Sequence, residues 1–139
     1  MRVLLDTCVI SELNRRGGDP GVRSVVSTHL PDEVFLSVIT VGEITKGILR
    51  LPDGRRKTEL MTWLRTLDRE FAGRLLDVGR ETVGVWGEVS ARAEEQGRTL
   101  PIADGLIAAT AIQHGLRIYT RNVADFAVTG AMVTNPWNL

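Results

Sequence analysis

The chain is poor in the residues that would tie it to several common chemistries. It has one cysteine, Cys8, so no internal disulfide can form and an oxidising compartment offers the fold nothing. That thiol and two histidines far apart in sequence, His29 and His114, make a poor set of zinc ligands. Aromatic residues are only 5% of the total, and Lys plus Arg balance Asp plus Glu at 17 each, so the molecule as a whole has no field to steer a polyanion. Any nucleic-acid contact must come from local basic patches. The longest apolar runs, such as Leu106 to Ile112, are too short to cross a bilayer, and no basic start leads into an apolar signal core. These absences predict a cytoplasmic protein with no membrane association. No Walker loop, nucleophile elbow or dinucleotide fingerprint is present, and no repeat or low-complexity tract.

What remains is average in bulk and particular in detail. With 139 residues, 43% hydrophobic and 24% charged, the chain is expected to fold as one domain over residues 1–139. Val3-Leu4-Leu5 is an apolar run without a polar face, which suits a strand buried on both sides of a parallel sheet. Val9, Ile10 and Leu13 follow at helical spacing. Asp6 therefore stands at a strand-to-helix junction, where it caps the helix or, at the C-terminal edge of an open parallel sheet, faces a ligand.

The unit then repeats. Gly21 to His29 reads as a short helix, Val34-Phe35-Leu36 as a second strand, and Thr40 to Leu51 as a helix with the apolar stripe Val41, Ile44, Ile48 and Leu51. Glu43 lies off that stripe with Gly47 one turn on, which leaves room beside the acid; its ordinary role would be an ion pair with Lys46. Past the turn Leu51-Pro52-Asp53-Gly54, a long helix opens on Arg55-Arg56-Lys57 and buries Leu60, Trp63, Leu64 and Leu67. The basic tip of this hairpin is either a solvated face or a phosphate-contacting patch. Leu75 to Val78 predicts a third strand and Thr82 to Gln96 a helix. Ile102 to His114 is apolar nearly all round, which places that helix in the middle of the fold. Asp104 sits in its first turn, on one line with Ala108 and Ala111. Gly115 caps the helix, Leu116 to Thr120 is a fourth strand, and Asp125 falls just beyond that strand's end. Ala131 to Thr134 gives a short last strand. Trp63, Trp86 and Trp137 are expected in core or dimer contacts.

Strands alternating with helices predict an α/β fold with a parallel sheet and right-handed crossovers, and successive strand ends then line one edge. Asp6, Asp104 and Asp125 share that edge with Glu43. Each has an ordinary alternative as a cap, a dipole partner, a loop residue or a surface ion-pair member. Four carboxylates brought together would repel and hold their protons more tightly unless a cation neutralised them. An all-oxygen set suits Mg²⁺ or Mn²⁺, which polarises a phosphodiester and activates water, so no nucleophilic side chain is needed.

The pieces Leu5-Asp6-Thr7 with Val9-Ile10-Ser11-Glu12, Glu43 in the helix after strand two, Pro101-Ile102-Ala103-Asp104, and Thr120-Arg121-Asn122-Val123-Ala124-Asp125-Phe126 together resemble a PIN-domain ribonuclease, most closely the VapC toxins of type II toxin-antitoxin pairs. Asn135-Pro136-Trp137 is similar to the ending of one branch. The resemblance covers essentially the whole chain. It implies a three-layer PIN-like sandwich, a central mostly parallel sheet of four to five strands flanked by helices. It also implies metal-dependent endoribonuclease cleavage of RNA by an in-line water, leaving a 3′-hydroxyl and a 5′-phosphate. Asp6, Glu43, Asp104 and Asp125 match the acidic quartet that is catalytic and metal-binding in the family. Thr7, Thr120 and Asn122 match residues that orient the quartet through hydrogen bonds. The implied partners are an RNA substrate, a small VapB-type antitoxin that blocks the site, a second copy in a homodimer, and a toxin-antitoxin hetero-oligomer.

One departure is plain, since Cys8 stands where the family usually has Asn. A thiol hydrogen-bonds neighbouring loops poorly, so weaker support of the site is expected there. Two rival readings have distinct requirements. A phosphoaspartate-type phosphatase on a similar sheet would need a second Asp at position 8. A non-catalytic acidic module that captures an arginine-rich partner would need no metal.

Overall fold

The computed structural model describes all 139 residues. Five strands, β1 (Val3–Leu5), β2 (Val34–Ser37), β3 (Leu75–Leu76), β4 (Arg117–Tyr119) and β5 (Val133–Thr134), form one sheet in the order β3-β2-β1-β4-β5. Every pairing is parallel. Strand β1 is central, and its three residues are wholly buried, which explains why it has no polar face. The chain leaves β1 for β2 and β3 on one side, then returns to β4 and β5 on the other, so the order reverses between β1 and β4. A crevice at such a reversal is where open parallel sheets bind ligands.

Alternation along β1 divides the core. Val3 and Leu5 face one cluster, with Val9 and Ile10 of α1 (Thr7–Asn14), Val22 of α2 (Pro20–Ser27), Ile44 and Ile48 of α3 (Val38–Leu49) and Leu67 of α4 (Arg55–Glu70). Leu4 faces the other, with Ile107, Ala108 and Ala111 of α6 (Ile102–His114), Leu116, Ile118, and Phe126 of α7 (Val123–Ala127). The remaining helix, α5 (Arg80–Glu95), packs on α6. Helices on both faces of a parallel sheet make the three layers expected from the sequence.

Several boundaries and faces differ from the sequence expectation. Helix α3 starts at Val38 because the Ser37 hydroxyl accepts from the Ile39 amide and caps it, and it ends at Leu49 ahead of the Pro52-Asp53-Gly54 turn. Its buried line is Thr40, Ile44 and Ile48; Val41 is half-buried and Leu51 lies beyond the helix. The third strand is only Leu75–Leu76, an edge pairing that Asp77 and Val78 do not join. Helix α6 is buried along its middle, but Ile102 at its start is 67% exposed, so it is not apolar-packed all round. Trp63 and Trp137 pack against the first cluster. Trp86 lies against Gly105, where an added Cβ would meet its ring at 2.8 Å. No helix is long and apolar enough to cross a membrane.

Candidate active site

Asp6 ends β1 and caps α1, so its two roles are one placement. It is 5% exposed; Oδ1 accepts from the Thr7 amide at 2.8 Å and Oδ2 accepts from the Thr120 hydroxyl at 2.7 Å. Thr120 follows β4, and its bond to Asp6 therefore spans the reversal of strand order. The Thr120 hydroxyl also accepts from the Asn122 amide at 3.0 Å. Asn122 thus supports Asp6 indirectly, through its backbone, while its side chain makes no hydrogen bond within the chain.

Glu43 reaches the same edge from α3. The Thr7 hydroxyl donates to its Oε1 at 2.6 Å, and no ion pair with Lys46 forms. The sequence offered Lys46 as the nearest partner, but the fold supplied a residue 36 positions upstream. Gly47 confirms the room expected beside the acid, for nothing lies within 4 Å of where its Cβ would be. Glu43 and Gly47 stand between two depressions. One, of about 350 Å³, also takes in Thr7, Arg56, Leu60 and Trp63. The other, of about 540 Å³, takes in Ile39, Gly42, Lys46, Arg50 and Ala103.

Asp104 comes from the first turn of α6 and Asp125 from α7, and both line a cavity of about 210 Å³ with Arg98, Thr99 and Pro101. Asp104 has no hydrogen-bond donor to hold its charge. Burial, then the charges of Asp6, Glu43 and Asp125, push its pKa up to about 6. The charges of the other three acids thus converge on Asp104 across one edge. The four are not drawn into a closed cage, since no three His, Cys, Asp or Glu side chains stand near enough to enclose an ion unaided. Their chemistry nevertheless fits a hard divalent cation: every donor is oxygen, two acids are aligned by hydroxyls, and a third is left uncompensated. Mg²⁺ in particular keeps several waters and needs only a few carboxylates.

Cys8 is better used than its residue type suggested. Its sulfur accepts from the Arg121 amide at 3.4 Å, and lies 3.6 Å from the Thr120 hydroxyl and 3.8 Å from Asp6 Oδ2. The thiol joins the turn after β1 to the loop after β4, a bridge the sequence was not expected to make there. Burial pushes its pKa up, so it remains a neutral thiol beside the carboxylate.

A second contact was not legible beforehand. The Arg121 guanidinium stacks on the Trp137 ring, 4.0 Å from its centroid. The Asn135 side chain accepts from the Trp137 amide at 2.9 Å and sets that ending in place. The only sequence signal was the Asn-Pro-Trp turn itself.

The PIN domain family model matches residues 3–130. The VapC ribonuclease Y4jK of Sinorhizobium fredii is 34% identical over 97% of both chains, and Toxin FitB of Neisseria gonorrhoeae is 35% identical over 98% of this chain and 99% of that one. Among solved structures, FitAcB from Neisseria gonorrhoeae superposes with a TM-score of 0.91 at 36% identity over 99% of each chain. FitAB bound to a DNA fragment does so with a TM-score of 0.91 at 34% identity, over 99% of this chain and 96% of that one. An acid edge at the reversal point of a five-stranded parallel sheet, a family match over nearly the whole length and these relatives lead to one conclusion: the chain belongs to the PIN domain family, in its VapC toxin branch.

Proposed function

We propose that the chain is a Mg²⁺- or Mn²⁺-dependent endoribonuclease, the toxin of a toxin-antitoxin pair, and that Asp6, Glu43, Asp104 and Asp125 hold the cation. The observation that carries this reading is the state of Asp104: one carboxylate under the charge of three others, each from a different element, with no cation of the chain's own to relieve it. A structural role would call for a partner, and none is provided. The relatives named ribonuclease and toxin point the same way.

A bound divalent ion would supply Lewis-acid charge, lowering the pKa of a water and drawing electron density from the phosphodiester. The chain's own residues do the positioning. Thr7 serves twice, its amide fixing Asp6 and its hydroxyl fixing Glu43, so the two acids keep a constant relation. Thr120 turns the second oxygen of Asp6, and the Asn122 amide and the Cys8 sulfur keep the Thr120 loop in register. Asp104 exchanges its proton near pH 6, so cation and proton compete for it and affinity for the ion falls below that pH. The water is expected to attack in line and leave a 5′-phosphate. The partner we propose is a small VapB-type antitoxin that covers the acids, a reading supported by the toxin-antitoxin complexes among the structural relatives, FitAB included.

Cleavage of a labelled single-stranded RNA in Mg²⁺ or Mn²⁺ tests the proposal. Activity should stop with EDTA, return with added ion, and fall at least about a hundredfold in Asp6→Asn and in Asp104→Asn. Undiminished cleavage by both variants, with folding verified by circular dichroism, would overturn it.

A further inference from the structure

We propose that the depression along the outer side of α3, floored by Gly42 and Gly47 and edged by Lys46 and Arg50, is the track of the RNA strand beside the scissile phosphate. This rests on the ribonuclease reading above and deepens it by assigning the substrate's path. Four observations converge. First, the depression of about 540 Å³ is continuous with the acid edge, because Glu43 lines both. Second, its two cations are unspent. The chain's ion pairs are the N-terminal amine with Glu33, Arg15 with Glu12, and Lys57 with Asp53, and neither Lys46 nor Arg50 makes a side-chain hydrogen bond.

Third, Arg50 is the C-cap of α3 with helical backbone angles, four residues past Lys46, so the two lie on one side of the helix, one turn from each other. Two cations in a row along a groove suit a repeating anion better than a single carboxylate. Fourth, the glycines have no structural reason. Glycine in a helix interior costs stability relative to alanine, and both Gly42 and Gly47 have open space where a Cβ would go. Neither φ is positive, so the backbone does not demand glycine either. What a missing Cβ does provide is close approach to the helix for a second backbone. A sugar-phosphate chain lying over Gly47 would carry its phosphates past Lys46 and Arg50 and deliver the next one to the acids.

The test is binding rather than turnover. The anisotropy of a 5′-labelled single-stranded RNA is followed in EDTA, which prevents cleavage, across a range of NaCl. The Lys46→Ala/Arg50→Ala double variant should bind about tenfold more weakly near physiological salt, with the slope of log K against log salt shallower by about one to two. The charge-matched Arg65→Ala/Arg69→Ala variant, altered on the exposed side of α4, should keep most of the wild-type affinity and slope. Gly47→Ala should melt slightly higher than wild type yet bind RNA several-fold more weakly, a pairing that a structural role for the glycine would not produce. Wild-type affinity and slope in the Lys46/Arg50 variant would overturn the track and leave the ribonuclease reading standing. So would a variant that keeps its RNA affinity but loses its co-purifying antitoxin, since the groove would then belong to the protein partner. A wild-type chain that neither binds nor cleaves RNA would instead bring down the reading beneath it.

Discussion

Two helices deliver acids to the same sheet edge, and each carries a glycine within a turn of its acid, for opposite reasons. In α6, Gly105 follows Asp104 and is buried; a Cβ there would strike the Trp86 ring at 2.8 Å and the Leu100 side chain at 3.3 Å. In α3, Gly47 lies one turn past Glu43 and meets nothing within 4 Å. The first glycine lets α5 close on α6. The second leaves an opening that no part of the chain fills. A helical glycine thus marks either contact within the molecule or space kept for something outside it, and only its surroundings distinguish the two.

The largest effect should come from filling the closed side. Gly105→Ala is expected to lose ~1–3 kcal/mol, because the ring of Trp86 and the backbone of α6 have little freedom to part. Thermal melting would reveal this as a fall of several degrees, and a wild-type melting temperature would erase the contrast between the helices.

Next comes Asp104 on the same helix. Its folded pKa of about 6 lies above its ordinary 3.8, so the unfolded chain gives up that proton first and folding stability falls as pH rises between these values. The penalty is absent below the ordinary value and complete above the folded one. Without screening the gap is worth ~3 kcal/mol; the carboxyl is partly open to solvent, which reduces this to about 1 kcal/mol. In EDTA at pH 8, Asp104→Asn should therefore melt higher than wild type by a few degrees, and the gain should vanish near pH 4. Destabilisation at pH 8 would mean that Asp104 serves the helix terminus instead.

On the open side the effects are smaller. Thr7→Val removes the hydroxyl that fixes Glu43 and should cost ~0.5–1.5 kcal/mol. RNA cleavage by this variant should fall about tenfold while the ion still binds. Smallest is Gly47→Ala, expected to gain up to ~1 kcal/mol in stability, since the new methyl meets open space in a helix that prefers it. A loss there would show that α3 is more tightly enclosed than it looks.

The same contrast explains what could be read from sequence. Val3-Leu4-Leu5, the repeated strand-helix units and the arrival of Asp6, Glu43, Asp104 and Asp125 at one edge followed from apolar patterning, because burial on both faces of a parallel sheet leaves a clear local signature. What escaped were pairings between elements distant along the chain. Periodicity offered Lys46 to Glu43, yet Thr7 arrives from another helix. Residue type argued that Cys8 would bond little, yet the loop after β4 brings an amide to its sulfur. Asn122 reaches Thr120 through its backbone amide and not its side chain, which no side-chain reading can foresee. Helix α3 begins two residues ahead of the expected Thr40 because Ser37 caps it, a detail of local competition rather than of pattern.

The central position of β1 also has a consequence in time. The first strand made during synthesis can pair with β2 soon afterwards, but Thr120, which turns Asp6, is made 114 residues after the acid it holds. A growing chain on the ribosome is thus without a finished acid edge until β4 and the loop beyond it have emerged and paired with β1. Synthesis interrupted before that point would leave Asp6 without the hydroxyl that turns it.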